Sequence, residues 1–380
     1  MATSLNQAYF ALDVPDIVFT VASGERTIRI QLMSQGTTLY SSSDKFYPDE
    51  HAHITLHHLG ELVQTYLSAC DLSLLDETDG VSSFRPTAQL LVQMYDGDTL
   101  IDSASTKVYY SKCRTSIDPF DYDKFLSHAS VKYISPNEPL LFSHFLLGDF
   151  CCKATLYWQH RNGTVRKTTI PLASPSSLSE NDICQYHYHL SNIVLQCSLA
   201  ARYSIDLDNA LSVDVNLFEN DEAEEALDCI TFHIDHHRRQ STAFLFTNCF
   251  GCLENVSAIG TDERVNEMTA EFGYINGQYK KTSTILTPSH TVNSGYISES
   301  TYQNYLDLAQ SPEVCLLGSD GSMGEQVTIT SISYVDKQPR NEGINVTVTY
   351  RPVEKTSQVV TRTFQRSLIH YDTSFNSLFD

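Results

Sequence analysis

Apolar and polar residues follow a two-residue rhythm through much of this 380-residue chain, in short runs rather than long ones. The runs include Asp16 to Thr20 (DIVFT), Arg26 to Met33 (RTIRIQLM), Thr38 to Tyr40, Ala88 to Tyr95 (AQLLVQMY) and Thr106 to Tyr110 (TKVYY). Ser-Gly, Gln-Gly and Asp-Gly turn signals interrupt them. Successive side chains on a strand point to opposite faces, so this rhythm gives each segment one face for a core and one for water. A chain of 21 Tyr and 18 Phe beside a single Trp also has the composition of strand surfaces. The expected class is therefore mainly β, built as tandem antiparallel β-sandwich or barrel modules with a few short helices.

Length sets the number of modules. A chain this long exceeds one ordinary core, and 41% hydrophobic residues with only 16 Gly and 12 Pro supply enough apolar surface for several folded units. Three modules are expected: 1–112, 113–240 and 241–380, the last with one short helix. The first break falls among the Asp, Pro and Asn residues of SIDPFDYD and SPNEP. Strands are expected at Leu140 to Leu147, Cys151 to His160 and Thr164 to Ile170, with Asn162-Gly163 as a two-residue hairpin turn. Further strands are expected at Ile183 to Leu190, Ile193 to Leu199, Leu211 to Phe218 and Cys229 to Ile234. The last module should hold Thr269 to Tyr274 paired with Tyr279 to Leu286 across Asn276-Gly277, then Gln326 to Tyr334, Asn345 to Tyr350 and Gln358 to Thr363. Two helices interrupt the pattern. Leu59, Leu62, Val63 and Tyr66 share a helical face, and a second helix from about Ser300, its candidate cap, to Gln310 stops at Ser311-Pro312.

Charge excludes several partners. The formal net charge of −21 repels a phosphate backbone, and the basic pair in His236-His237-Arg238-Arg239 is too short to offset it, so nucleic acid is not an expected partner. No run approaches the ~18 apolar residues of a membrane span, and the N-terminal MATSLNQAYF lacks the pattern of a Sec signal. Ten Cys without such a signal read as free thiols in a reducing compartment rather than a disulfide framework. The Asn-x-Ser/Thr matches at Asn162, Asn255 and Asn345 then carry no glycosylation reading.

The most chemical-looking stretch is Cys249-Phe250-Gly251-Cys252, between FLFTN and LENVSAIG. A zinc site would combine Cys249 and Cys252 with Cys229, His233, His236 or His237. However, Cys229 and His233 lie four apart on an expected strand, about 13 Å by strand rise, which is too far for chelation. A redox pair would need a helix N-terminus that the flanks do not offer. The ordinary reading is a bend with packed thiols, its Phe-rich lead-in mattering more than its sulfurs. Paired histidines at His51 and His53, His57 and His58, and His187 and His189 lack an identifiable third ligand. No Gly-x-Ser-x-Gly elbow occurs, and Gly318 to Gly324 (GSDGSMG) lacks the Gly-Lys-Ser/Thr of a phosphate loop. No catalytic, cofactor or metal residue is nominated. Whether Cys249 and Cys252 bind a metal with Cys229 or His233 is left open by the sequence.

The last module opens on Phe-Leu-Phe-x-Asn-x-Phe-Gly within Ala243 to Gly260. A Tyr/Lys hairpin follows, then a helix ending near Ser-Pro-Glu-Val, then the late strand ITSISYVDKQ. With the N-terminal FYPDEHAHITLHHLGELVQTYL, this order resembles uncharacterised virion or tail proteins of phages and prophages of gut Bacteroidetes. The resemblance implies a non-enzymatic structural component of a phage tail or baseplate, or a fibre adaptor. Such a protein is made in the host cytoplasm, ends in the virion, and associates with itself and its virion neighbours. A carbohydrate- or receptor-binding β protein is the alternative, since exposed tyrosines stack on sugar faces and a host-surface glycan is then the ligand. A tail-tip glycan hydrolase is a third class.

Overall fold

The protein is described here by a computed structural model covering residues 5, 8–34, 36–73, 81–84, 87–112, 124–136, 138–146, 151–159, 162–172, 184–190, 210–236, 241–260, 262–335 and 344–353. It is mainly β, with several separate sheets. In the N-terminal part, β1 (Ala8–Phe10), β3 (Arg26–Ser34), β4 (Thr37–Phe46), β7 (Thr87–Asp96) and β8 (Thr99–Tyr109) form one sheet. Its order is β1-β8-β7-β3-β4, with β1 parallel to β8. A smaller sheet pairs β2 (Ile17–Thr20) with β5 (His53–Leu56), and helix α1 (Leu59–Tyr66) follows. The alternating positions Ile28, Leu32, Leu90, Val92 and Met94 pack onto Ile17, Phe19, Ile54 and Leu56, and Leu59 and Val63 of α1 close the core. Gly60 brings α1 against the Ala11 carbonyl, where any Cβ would stand 2.2 Å from that oxygen.

The middle part packs two sheets face to face. One has the order β12-β11-β14-β15-β9, made of β9 (Val131–Ile134), β11 (Cys151–Gln159), β12 (Val165–Pro171), β14 (Ala210–Phe218) and β15 (Asp228–Ile234). The other pairs β10 (Leu140–Leu146) with β13 (Cys184–Leu190), and β13 with β6 (Val81–Phe84), a strand contributed by the N-terminal third. Cys152, Ala154, Leu156 and Trp158 of β11 join Val213, Val215, Leu217 and Phe232 in a core with Leu140 and Phe142. Asn162-Gly163 does not make a two-residue turn. Gln159 pairs with Val165, so a longer loop joins β11 to β12, in which Asn162 Oδ1 accepts the Thr164 backbone N–H at 3.1 Å. That side-chain bond is a local Asx-type contact of the loop.

The C-terminal part is a seven-stranded sheet in the order β17-β16-β20-β21-β22-β19-β18. Its strands are β16 (Thr242–Thr247), β17 (Leu253–Ala258), β18 (Glu263–Ile275), β19 (Gln278–Ile297), β20 (Val314–Leu317), β21 (Met323–Val335) and β22 (Ile344–Pro352). Helix α2 (Glu299–Gln310) lies against it, with Tyr305 and Leu308 packed on Phe244, Phe246, Val346 and Val348. The cap of α2 is Ser298 rather than Ser300, because its hydroxyl oxygen accepts the Thr301 N–H at 3.2 Å.

Asn276 and Gly277, with φ of 52° and 77°, form the expected tight turn between β18 and β19. The two strands are much longer than the sequence rhythm marks. Only His290 to Ile297 of β19 pairs with β22; from Val265 to Ser289 the two strands pair with each other alone among the described residues. Eleven residue pairs at ~3.3 Å rise make a ribbon roughly 35 Å long. The expected strands Ile193 to Leu199 and Gln358 to Thr363 lie outside the described residues.

Candidate functional site

The loop 248–252 between β16 and β17 is where the three parts meet. Asn248 builds it: its Oδ1 accepts the N–H groups of Phe250 at 3.1 Å and Cys252 at 3.0 Å, and its Nδ2 donates to the Leu126 carbonyl at 2.8 Å. Gly251 has φ of 77°, and a Cβ there would lie 2.6 Å from the Tyr110 ring. Glycine is thus required twice, for a left-handed backbone and for contact with the N-terminal part. The Cys70 N–H donates to the Gly251 carbonyl at 3.0 Å, and the Lys112 N–H donates to that of Cys249 at 2.8 Å. The Phe250 ring packs tilted against Phe10 and against the His128 ring, each at 5.5 Å between centroids. The expected bend is therefore present, and it doubles as a buried clasp.

Burial controls the ionisation of groups around this clasp. The Cys70 thiol is pushed up to about 12 by burial, and Tyr110 also to about 12 by burial, with the nearby Cys70 and Cys249 adding to it. Burial lowers the Lys112 ammonium pKa, opposed by the charges of Asp307 and Cys249. Lys112 Nζ donates to the Gln310 carbonyl at the C-terminal end of α2, at 3.0 Å, where a cation complements the helix dipole.

The residues weighed from the sequence for a zinc site are not gathered at Cys249. Cys229 and His233 sit on β15 in the middle sheet. The first has its sulfur 4.0 Å from the Thr231 hydroxyl, and the His233 ring stacks 5.1 Å from Tyr133. His236 contacts the Ala210 carbonyl at 2.8 Å, and His237 lies outside the described residues. Instead, Cys249 Sγ lies 3.2 Å from His128 Nε2, which is 3.4 Å from Asp307 Oδ2. Neither partner is near in sequence. Three of the remaining histidines make exposed pairs: His57 with Asp16 at 2.6 Å, His58 with Glu61 at 3.4 Å and His51 with Glu50 at 3.5 Å. His187 and His189 lie on β13, opposite Ser143 and Leu141. Asn255 is only 5% exposed, so the folded chain offers no glycan acceptor there.

Beside the clasp runs a cleft of about 540 Å³ between β9 and the α2 side of the C-terminal sheet. Its polar wall includes Asn255, Ser257, Ser298 and Asn304, and Tyr133 and Tyr296 stand exposed at it. The Oδ1 atoms of Asn255 and Asn304 are buried without a hydrogen-bond partner among the described residues. Behind the cleft, Lys132 of β9 and Glu254 of β17 form a buried ion pair at 2.5 Å. Glu254 Oε2 accepts the Ser127 hydroxyl at 2.8 Å, and Lys132 donates to the Leu141 carbonyl at 3.0 Å. Glu138, also buried, accepts hydrogen bonds from the hydroxyl of Ser257 and the amide of Asn255.

The third feature is the ribbon. Phe272, Tyr274 and Tyr279 near its tip are 54%, 74% and 72% exposed, with the Phe272 and Tyr279 rings stacked 5.8 Å apart. No helix among the described residues is long and apolar enough to cross a membrane.

No protein-family model and no curated protein matches the sequence. Among solved structures the chain is similar to the calcium-binding domain CBD12 of CALX1.1, at 10% identity over 60% of this chain and 96% of that one. The TM-score is 0.19, a level that carries no argument for fold or ligand. What fold and site define is a class: a multi-module β protein with a buried inter-module clasp and a projecting ribbon.

Proposed function

We propose that this chain is a non-enzymatic structural protein of a phage or phage-derived virion, of the tail, baseplate or fibre-adaptor kind, working in several copies that engage one another. The virion context rests on the sequence resemblance. The observation that carries the assembly role is the β18–β19 ribbon. A two-stranded ribbon standing alone in water is marginal at best, and this one ends in three exposed aromatics. Those rings offer roughly 400 Å² of surface, about half of one side of a standard interface, so the flanks of the ribbon must join the contact.

A second copy of the chain is the occupant the charges favour. Glu267 and Glu271 balance Lys280 and Lys281, so the ribbon is neutral in a chain of net charge −21. A neutral arm with two lysines near its tip approaches an acidic neighbour without the repulsion that the rest of the surface would meet. Electron microscopy of the purified chain over a range of concentrations tests this. Ordered particles of repeated subunits are expected, and monomers at every concentration would contradict it.

The cleft supports a second reading, a carbohydrate-binding module. A polar wall of Asn255, Ser257, Ser298 and Asn304 beside two exposed tyrosines offers a polyhydroxyl ligand both hydrogen bonds and ring faces. A glycan array with wild type and Tyr296→Ala tests it: binding lost in the variant supports this reading, and no binding by wild type removes it.

A further inference from the structure

We propose that His128, Cys249 and Asp307 form a three-ligand site for a thiophilic divalent cation, zinc by its ligand chemistry, with solvent as fourth ligand. The donor atoms Nε2, Sγ and a carboxylate oxygen all lie within 4.8 Å of one another. Zinc bonds of ~2.3 Å to sulfur, ~2.05 Å to nitrogen and ~2.0 Å to oxygen in tetrahedral geometry place neighbouring ligand atoms ~3.3–3.6 Å apart. The two separations here, 3.2 Å from Sγ to Nε2 and 3.4 Å from Nε2 to Oδ2, match that spacing closely.

The arrangement is a poor nucleophile relay. In such a relay the thiol addresses one ring nitrogen and the carboxylate the other. Here both converge on the same atom, Nε2. Convergence on one point is what a cation needs. The supporting contacts fit too: the Cys249 N–H donates to Asp307 Oδ2 at 3.0 Å, and the Phe250 ring lies 5.5 Å from the imidazole. Cys249 and Asp307 are buried, while the His128 side chain is 28% exposed and leaves an opening for solvent. Thiolate with imidazole selects zinc over calcium or magnesium. The ligands lie 121 and 58 residues from Cys249 in the chain, so a bound cation pins the segment before β9 and helix α2 to the clasp loop. This inference is independent of the assembly role proposed above.

The test is a cobalt(II) titration of the reduced, metal-stripped full-length chain. The expected result is a thiolate-to-cobalt absorption band that saturates at one cation per chain and is displaced by zinc. Affinity should fall by at least ~100-fold in Cys249→Ser and in His128→Gln, more than loss of a supporting outer contact usually costs. It should be unchanged in Cys252→Ser, whose sulfur packs in the same cluster but is not among the three donors. His128→Gln, at the more exposed position, decides the matter should Cys249→Ser not fold. No thiolate band in wild type, a band retained in His128→Gln, or equal loss in Cys252→Ser would overturn the site.

Discussion

Replacing Lys132 by Met tests whether the middle and C-terminal parts are locked together through a buried charge pair. Lys132 and Glu254 have side-chain exposures of 5% and 2% and lie 2.5 Å apart. Met keeps the apolar stem of the lysine and removes only the ammonium, leaving Glu254 buried with a full charge. Breaking one partner of a buried pair costs about 3–5 kcal/mol. Glu254 keeps the Ser127 hydroxyl at 2.8 Å, so the lower end, about 3 kcal/mol, is expected. The double variant Lys132→Met with Glu254→Leu should recover most of the loss, because an apolar pair of similar volume often replaces a buried ion pair at little cost. Denaturant unfolding of the four proteins in a double-mutant cycle measures this, and the coupling should persist in high salt, which screens buried pairs little. A loss in Lys132→Met below ~0.5 kcal/mol, the range of surface changes, would refute the reasoning, as would additive losses in the double variant.

Three further outcomes follow from named contacts. Gly251→Ala should lower stability by about 1–3 kcal/mol, through positive φ and collision with Tyr110, and should speed protease cleavage near residue 112; a thermal midpoint equal to wild type would contradict the clasp. Ser298→Ala removes the cap of α2 and should cost about 1 kcal/mol in denaturant unfolding, with Ser300→Ala nearly silent. Raising pH should destabilise the fold from about pH 9 toward 12. Cys70 and Tyr110 hold their protons in the folded state to about 12, while the unfolded chain releases them earlier, so stability is present below the unfolded values and lost as pH rises. Cys70→Ala should flatten the start of that decline in an alkaline unfolding series.

The sheets were legible because most strands have one wet face and one dry one. Leu90, Val92 and Met94 in β7, and Leu156 and Trp158 in β11, announce themselves by alternation and are buried as that alternation requires. The ribbon was legible in part. Thr269 to Tyr274 and Tyr279 to Leu286 read as a hairpin across Asn276-Gly277, and they pair as expected, whereas Glu263 to Met268 and Thr287 to Ile297, which extend the same two strands, carry no two-residue signal. The clasp was legible as a bend at Gly251, but its partners were not. His128, Asp307 and Lys112 are distant in sequence, whereas Cys229 and His233, weighed as zinc ligands and disfavoured by their spacing, sit in another sheet. One signal was available: Glu254 is a charge inside a strand whose six residues are all buried, which calls for a buried cation elsewhere. Asn248 stands in the lead-in that the sequence reading favoured over the thiols, and it organises the loop.

The most direct test of the assembly role places a photo-crosslinking residue at position 279, on the exposed tip of the ribbon, in otherwise wild-type chain. Illumination should join the tip to a second copy of the same chain, at a patch rich in Asp and Glu. Phe272→Ser with Tyr274→Ser in the same chain should abolish the product. Crosslinks confined to one chain, or none at any concentration, would contradict the account.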